Sequence, residues 1–222
     1  MRTVKLLRLS LGTFVLAGAG IGAFLVETTS PGWEVLRVEE KMGLHGAHTA
    51  QLAFTDLYVP RENLLGEETD GFKIAIKTLD GGRIGIAAQA VGIARAALAD
   101  ALEYAQQRRA FGNALVDFQG TQWKLADMAT AVEAARLLTL RAATLKDAGR
   151  PYTMEASMAK LFASEAAMAI ATQAVQLHGG YGYTREFAVE RYFRDAKATE
   201  IYEGSSEIQR VVIAEHVLRE GA

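Results

Sequence analysis

Cysteine is absent from this 222-residue chain. That excludes a disulfide framework, a thiolate zinc site and thiol catalysis. It also fits a reducing compartment. Proline is scarce, with three residues, so little interrupts helix formation over long stretches. The four histidines are scattered, and no metal site is expected. The net charge is -2, and no basic cluster interleaves with aromatics. A general nucleic-acid binder is therefore not expected. No G-x-G-x-x-G following a strand, P-loop, zinc-binding helix or nucleophile elbow occurs.

Half of the residues are hydrophobic, enough for one large domain or two small ones. The start M-R-T-V-K-L-L-R is basic and Leu9 to Val26 is uncharged. That pattern is shared by signal peptides and short anchors. Its glycines break it into strand-sized pieces, so no membrane association is expected. Up to about Gly66 the chain reads as strand and turn, with strands over 23–27, 33–38 and 51–60. In L-A-F-T-D-L-Y-V-P the alternation slips after Phe54, which marks a bulge or a strand end.

From about Asp70 alanine rises and apolar residues recur at helical spacing. Helices are expected over 71–107, 118–147, 153–177 and 206–219, with short helical pieces before the last. Gly81, Gly82, Gly85 and Gly92 fall inside the first helix. Glycine costs helix propensity there, so these positions are expected to admit another backbone or a ligand. The fold class is mainly α: an antiparallel four-helix bundle preceded by a partial β-domain of short strands. Three segments follow: 1–20 unmatched, 21–66 the partial β-domain, and 67–222 the bundle.

Several residues invite chemistry. In I-Y-E-G-S-S-E-I-Q-R, Ser206 and Gln209 fit the S-x-x-Q capping box, so a helix starts there. Glu203 then lies in the preceding loop, beside a partly positive helix end. Q-R-R-A-F-G, Gln107 to Gly112, closes a helix with arginines suited either to capping or to gripping a phosphate. Q-L-H-G-G-Y-G, Gln176 to Gly182, stops a helix with glycines that cap it or let a ligand approach the backbone. His178 reads more readily as structural than as a base. Asp80 and Arg83 share a helical face and form an intrahelical ion pair by default.

Together these motifs resemble the acyl-CoA dehydrogenase family. The resemblance is carried by R-R-A-F-G, D-F-Q-G-T-Q-W-K-L-A-D-M, A-K-L-F-A-S-E, A-V-Q-L-H-G-G-Y-G-Y and Y-F-R-D-A-K-A-T-E-I-Y-E-G. In the strand portion, A-F-L-V-E-T-T-S-P-G-W, K-M-G-L-H-G-A-H-T and V-P-R-E-N-L-L-G-E resemble the end of that family's β-domain. The resemblance runs from about Ile21 onward and corresponds to the family's C-terminal part. It does not extend to the N-terminal helical domain or most of the β-domain.

The resemblance implies α,β-dehydrogenation of a short or branched acyl-CoA, with FAD as hydride acceptor. Glu203 matches the base that removes the α-proton. In some relatives the base stands on the earlier helix, at the position of Gly82. Arg108, Phe111 and Gln119 match flavin contacts made across a subunit interface. Gln176, Leu177, Gly179 and Gly180 match the loop receiving the adenosine end. Ser205 and Glu207 match flavin-contacting positions, and Asp80, Arg83 and Gly204 match positions near the acyl-CoA. The implied partners are an electron-transfer flavoprotein and further copies of the chain, as a dimer or tetramer. The implied location is a bacterial cytoplasm or a mitochondrial matrix. The contrasting expectation is a helical bundle that oligomerises without catalysis, or half of a split enzyme.

Overall fold

The computed structural model describes residues 7–9, 12–17 and 20–220. They divide into two compact units, the first built from the chain up to Lys41 and His45–Leu79, the second from Met42–Leu44 and everything after Asp80. The composition shift near Gly66 and this division differ because α1 (Gly71–Gln107) begins in the first unit. Gly71 sits directly on the Ile21 carbonyl, where a Cβ would overlap it.

In the first unit, β1 (Leu7–Leu9), β2 (Gly12–Ala17) and β3 (Gly20–Phe24) form an antiparallel meander. The register places Leu16 opposite Ile21 and Thr13 opposite Phe24. Up to Phe24 the uncharged stretch is thus strand wherever it is described. β3 lies earlier than the expected 23–27. Beyond Phe24 the backbone bonds to a loop instead: Leu25 N–H donates to the Asn63 carbonyl and Leu65 N–H to the Ala23 carbonyl.

A second pair, β4 (Trp33–Val38) and β5 (Ala50–Phe54), is also antiparallel. β5 ends at Phe54 rather than continuing to Pro60. Thr55 N–H donates to the Gly32 carbonyl, and Asp56 turns the chain at φ 49°. The slip in alternation marks this strand end, and the bulge lies on β4, between Val35 and Arg37. Trp33 and Phe54 face each other across the pair, edge to face, with ring centroids 5.1 Å apart, a packing worth about 0.5–1.5 kcal/mol beyond area.

The second unit holds most of α1, then α2 (Gln119–Asp147), α3 (Thr153–His178), α4 (Val189–Thr199) and α5 (Ser206–Glu220). Asp80 contacts Thr153 and Tyr104 stacks on His178, so α1 runs parallel to α3. The Arg141–Glu155 ion pair sits beside the short α2–α3 connection, which returns the chain antiparallel. Lys160 reaches Gly204 and Arg210 reaches Glu165, placing α5 parallel to α3. The four long helices form the expected bundle, with α2 running antiparallel to α1, α3 and α5, and with α4 as a shorter addition.

The core is dominated by alanine: Ala87, Ala94, Ala97, Ala101, Ala159, Ala163, Ala167 and Ala171 are all essentially inaccessible. Alanine combines the highest helix propensity with the least bulk, so the axes approach closely. Among the described residues one helix, α1, is long and apolar enough to cross a membrane. Its alanine face belongs to the bundle core.

Candidate active site

The segment between α4 and α5 carries strained backbone. Glu203 has φ 55° and Gly204 φ 90°. For a non-glycine residue such a conformation costs about 1–2 kcal/mol. It persists because neighbours hold it. The Gln209 side chain, fully buried, donates Nε2–H to the carbonyls of Glu203 at 3.2 Å and Gly204 at 2.9 Å. Lys160, fully buried on α3, donates to the same Gly204 carbonyl at 2.7 Å. The Tyr202 hydroxyl donates to Gln89 on α1.

The expected capping box does not form. Ser206 N–H donates to the Glu200 carbonyl at 3.0 Å, and the buried Ser206 hydroxyl has no partner. Gln209 serves as a donor to the turn rather than an acceptor for a helix-start amide. Ser205 instead hydrogen-bonds the exposed Glu207 carboxylate, which lowers the Glu207 pKa.

Glu203 Oε2 is buried and unpaired. Leaving such an atom unsatisfied costs about 1–3 kcal/mol. The carboxylate occupies the space over Gly82 on α1, where any Cβ would overlap it. Burial raises the Glu203 pKa above the usual carboxylate value, while Arg83 and Lys160 pull it back. Of the four α1 glycines expected to admit a partner, Gly82 admits Glu203 and Gly81 admits the Lys146 ammonium. Gly85 and Gly92 face open space, so only two meet the expected close approach, in both cases of a side chain rather than a backbone.

Beneath this turn Asp80 and Arg83 form the expected intrahelical pair at 2.8 Å, and it is buried. Thr153 donates to the second Asp80 oxygen at 2.7 Å, and Arg83 donates to Ser157 Oγ at 3.2 Å. Arg83 Nε stays unpaired. Among the described residues, the buried side-chain atoms without partners are Arg83 Nε, Glu203 Oε2, Ser206 Oγ, Gln209 Oε1 and Gln173 Oε1. All but the last belong to the 203–209 segment or to Arg83. Buried polar atoms are nearly always paired, so this concentration marks a place where a ligand is expected.

A second cluster lies at the opposite end of α3. A cavity of about 440 Å³ is lined by Tyr104, Arg108, Leu177, Gly179, Gly180 and Tyr181, among others. It brings together two regions distant in sequence: Arg108, just past α1, and Leu177, Gly179, Gly180 and Tyr181 at the end of α3. The Arg108 guanidinium lies over the Tyr181 ring, 5.6 Å from its centroid. Gly179 takes φ 60°, and a Cβ there or at Gly180 would meet nothing within 4 Å.

His178 is buried and stacked on Tyr104 at 4.1 Å. Its Nδ1 lies 2.8 Å from the Ala174 carbonyl, a contact that requires Nδ1 to carry the proton. The structural reading of His178 therefore fits.

Phe111, Gln119 and Gln176 lie outside the cavity lining, and all three are exposed. α1 ends at Gln107, as expected, and R-A-F-G beyond it turns the chain. β6 (Arg109–Ala110) and β7 (Asn113–Ala114) form a two-residue hairpin with Phe111 at φ 52° and Gly112 at φ 86°. Positive φ at both central residues is the hairpin turn that matches strand twist. It leaves the Phe111 ring 96% exposed. Sequence reasoning missed Lys160 and Gln209 as supports of the Glu203 turn. A lysine inside the alanine-rich run A-S-M-A-K-L-F-A was the available sign.

A family profile described as "Acyl-CoA dehydrogenase, C-terminal domain" matches residues 69–218. The chain is 59% identical over 200 residues to the short-chain specific acyl-CoA dehydrogenase, mitochondrial, of Rattus norvegicus, covering 90% of this chain and 48% of that protein. Butyryl-CoA dehydrogenase from Megasphaera elsdenii has the same fold, with a TM-score of 0.89 and 54% identity over 90% of this chain and 52% of that one. A chain in the structure described as the electron transferring flavoprotein of Acidaminococcus fermentans gives a TM-score of 0.92 at 44% identity, covering 98% of this chain and 64% of that one. The chain thus spans about half the length of the curated relative it matches.

Proposed function

The chain belongs to the acyl-CoA dehydrogenase family, and from that membership we propose that it carries the catalytic base and part of the flavin site for α,β-dehydrogenation of a short-chain acyl-CoA. The observation that carries the proposal is the buried, unpaired Oε2 of Glu203, held over Gly82 by a strained turn. An unpaired carboxylate in a partly dry setting has free lone pairs and a raised pKa, the two properties a proton acceptor needs. The names of the relatives, "short-chain specific" and "butyryl-CoA", support the chain-length part of the reading.

In this reading Glu203 takes the α-proton of the thioester. The backbone N–H at Glu203 polarises the thioester carbonyl as negative charge develops on its oxygen. Asp80 and Arg83 form a rigid floor near the acyl-CoA, because their three hydrogen bonds, to each other, Thr153 and Ser157, lie within α1 and α3. Bound FAD would supply the two-electron acceptor for the β-hydrogen.

The residues fit that cofactor at its diphosphate and adenosine end. The cavity at the end of α3 offers a guanidinium on one wall and two side-chain-free glycines on another. Arg108 would hold a phosphate, and Leu177, Gly179 and Gly180 would border the adenosine; Phe111, Gln119, Gln176, Ser205 and Glu207 would add contacts, with Arg108, Phe111 and Gln119 acting across a subunit interface. Electrons would pass to an electron-transfer flavoprotein. The location follows the relatives, a bacterial cytoplasm or a mitochondrial matrix.

A second reading is a helical bundle that oligomerises without turnover, alone or as half of a split enzyme. It is favoured by large exposed apolar residues on the helices, Trp123, Leu137, Leu140 and Val211.

The deciding experiment is the visible spectrum of the purified chain after FAD is added and excess removed. A retained flavin band that bleaches with butyryl-CoA, and does not bleach in Glu203→Gln, supports the first reading. A folded, colourless oligomer supports the second.

A further inference from the structure

We infer that Lys160 is a positioning residue for Glu203: from inside α3 it holds the Gly204 carbonyl, locks the 203–204 turn, and sets the charge balance of the base. The inference rests on Glu203 being the proton acceptor. It is carried by geometry that the proposed function does not use.

Lys160 is fully buried on a helix face made of Ala156, Ala159 and Ala163. Burying an ammonium costs several kcal/mol unless something compensates it. Its hydrogen bond goes to one acceptor, the Gly204 carbonyl, which Gln209 already satisfies at 2.9 Å. Satisfying that oxygen therefore does not explain a lysine. Two other consequences do.

The first is mechanical. Two donors, from α3 and α5, clamp one carbonyl between the left-handed residues and the helix. The described residues contain no cis peptide bond. The N–H of a trans peptide points opposite to its carbonyl. Gripping the Glu203 and Gly204 carbonyls therefore turns the Gly204 and Ser205 N–H groups away from Gln209 and fixes the direction of the Glu203 side chain.

The second consequence is electrostatic. Burial pushes the Glu203 pKa up. Arg83 from α1 and Lys160 from α3 oppose this. Besides Glu203, the charged groups facing Lys160 are Glu200 after α4, Glu207 on α5, Glu165 on α3 and Arg83 on α1. Desolvation brings Lys160 down to about 8, with Glu200 as the largest opposing influence. Its charge, and hence its pull on Glu203, is lost in mildly alkaline solution.

The test is NMR on the full chain, carboxyl-¹³C-labelled at glutamate and ¹⁵N-labelled at glycine and serine. The Glu203 signal is assigned by its loss in Glu203→Gln. In the wild type, Glu203 is expected to show a second shift step at the Lys160 midpoint, a reading that needs no Lys160 variant to fold. In Lys160→Met the Glu203 midpoint should rise by about half a unit or more, and the Gly204 and Ser205 amide signals should move. In Lys160→Gln, which keeps a donor without the charge, the amides should return towards wild type while the Glu203 midpoint stays high.

A wild-type Glu203 curve with no step near the Lys160 midpoint, or an unchanged midpoint in either folded variant, overturns the inference. These readouts do not depend on turnover. If the wild type neither holds flavin nor bleaches, the proposed function fails while the Lys160 result still stands or falls by itself.

Discussion

The helical unit and the strand unit solve the same backbone problem differently. Each helix satisfies its own N–H and C=O groups, so α1 to α5 need from one another only side-chain packing, and alanine supplies it at close range. Strands satisfy those groups only by pairing. β4 pairs with β5, yet Val35, Leu36 and Val38 remain about half exposed. Pairing has met the backbone's needs there without building a core. The chemistry follows the same division. Both clusters of candidate site residues lie in the helical unit, where a rigid bundle can hold a strained turn and unpaired polar atoms.

The largest expected effect tests that division through activity. Glu203→Gln should lower turnover by about 10²–10⁴-fold, the usual worth of a positioned base. Glu34→Gln, on exposed β4, should leave turnover unchanged. Equal losses, read by flavin bleaching with butyryl-CoA, would break the assignment of chemistry to the bundle.

Next come the cores. Ala163→Leu inserts bulk into a closed interface and should cost about 1–3 kcal/mol. Leu36→Ser on β4 should stay within about 0.5 kcal/mol. Urea denaturation of both variants checks this, and similar costs would mean that the strand face is covered in solution.

A third variant separates stability from site geometry inside the bundle. Gly82→Ala gains up to about 1 kcal/mol of helix propensity but overlaps the Glu203 carboxylate, a movable side-chain end. Near-wild-type stability with much reduced bleaching is expected. Wild-type bleaching would show that the carboxylate works from another position.

The smallest effects are in pH dependence. The folded pKa of Lys160 is depressed to about 8, so between about 8 and 10.5 the unfolded chain binds more protons at this site. Stability from this group therefore rises with pH across that window, and below it the burial penalty is full. The wild type should gain on Lys160→Met over that range in paired denaturation curves. Glu203 has the opposite sign for a carboxylate: its folded pKa is raised. Its contribution is present at low pH and is lost as pH rises through the raised value. Glu203→Gln should then be more stable than wild type at neutral pH, by thermal denaturation.

The helices were legible because their evidence is local. The bounds of α1 and of β4 coincide with those read from periodicity, since apolar spacing and turn residues act over a few positions. The loop placement of Glu203 was legible for the same reason. Other features depended on contacts far apart in sequence. The S-x-x-Q pattern around Ser206 predicted a capping box, but the Gln209 amide found two carbonyls of a strained turn and donated to them instead. The helix end at Gln107 was legible, but the hairpin after it was not, because it needs an unusual positive φ at Phe111. Lys160 looked like any lysine in a helix until its neighbours on α1, α4 and α5 enclosed it.

By itself the sequence determined the helical periods, the alanine-rich interfaces, the turn before α5 and the family membership, because each is written in local spacing and residue type. Only the tertiary structure decided that Gly82 makes room for Glu203, that Lys160 and Gln209 converge on Gly204, and that Arg108 shares a cavity with Gly179 and Gly180. Those juxtapositions join residues tens of positions apart. The packing of one helix on another is what brings them within reach.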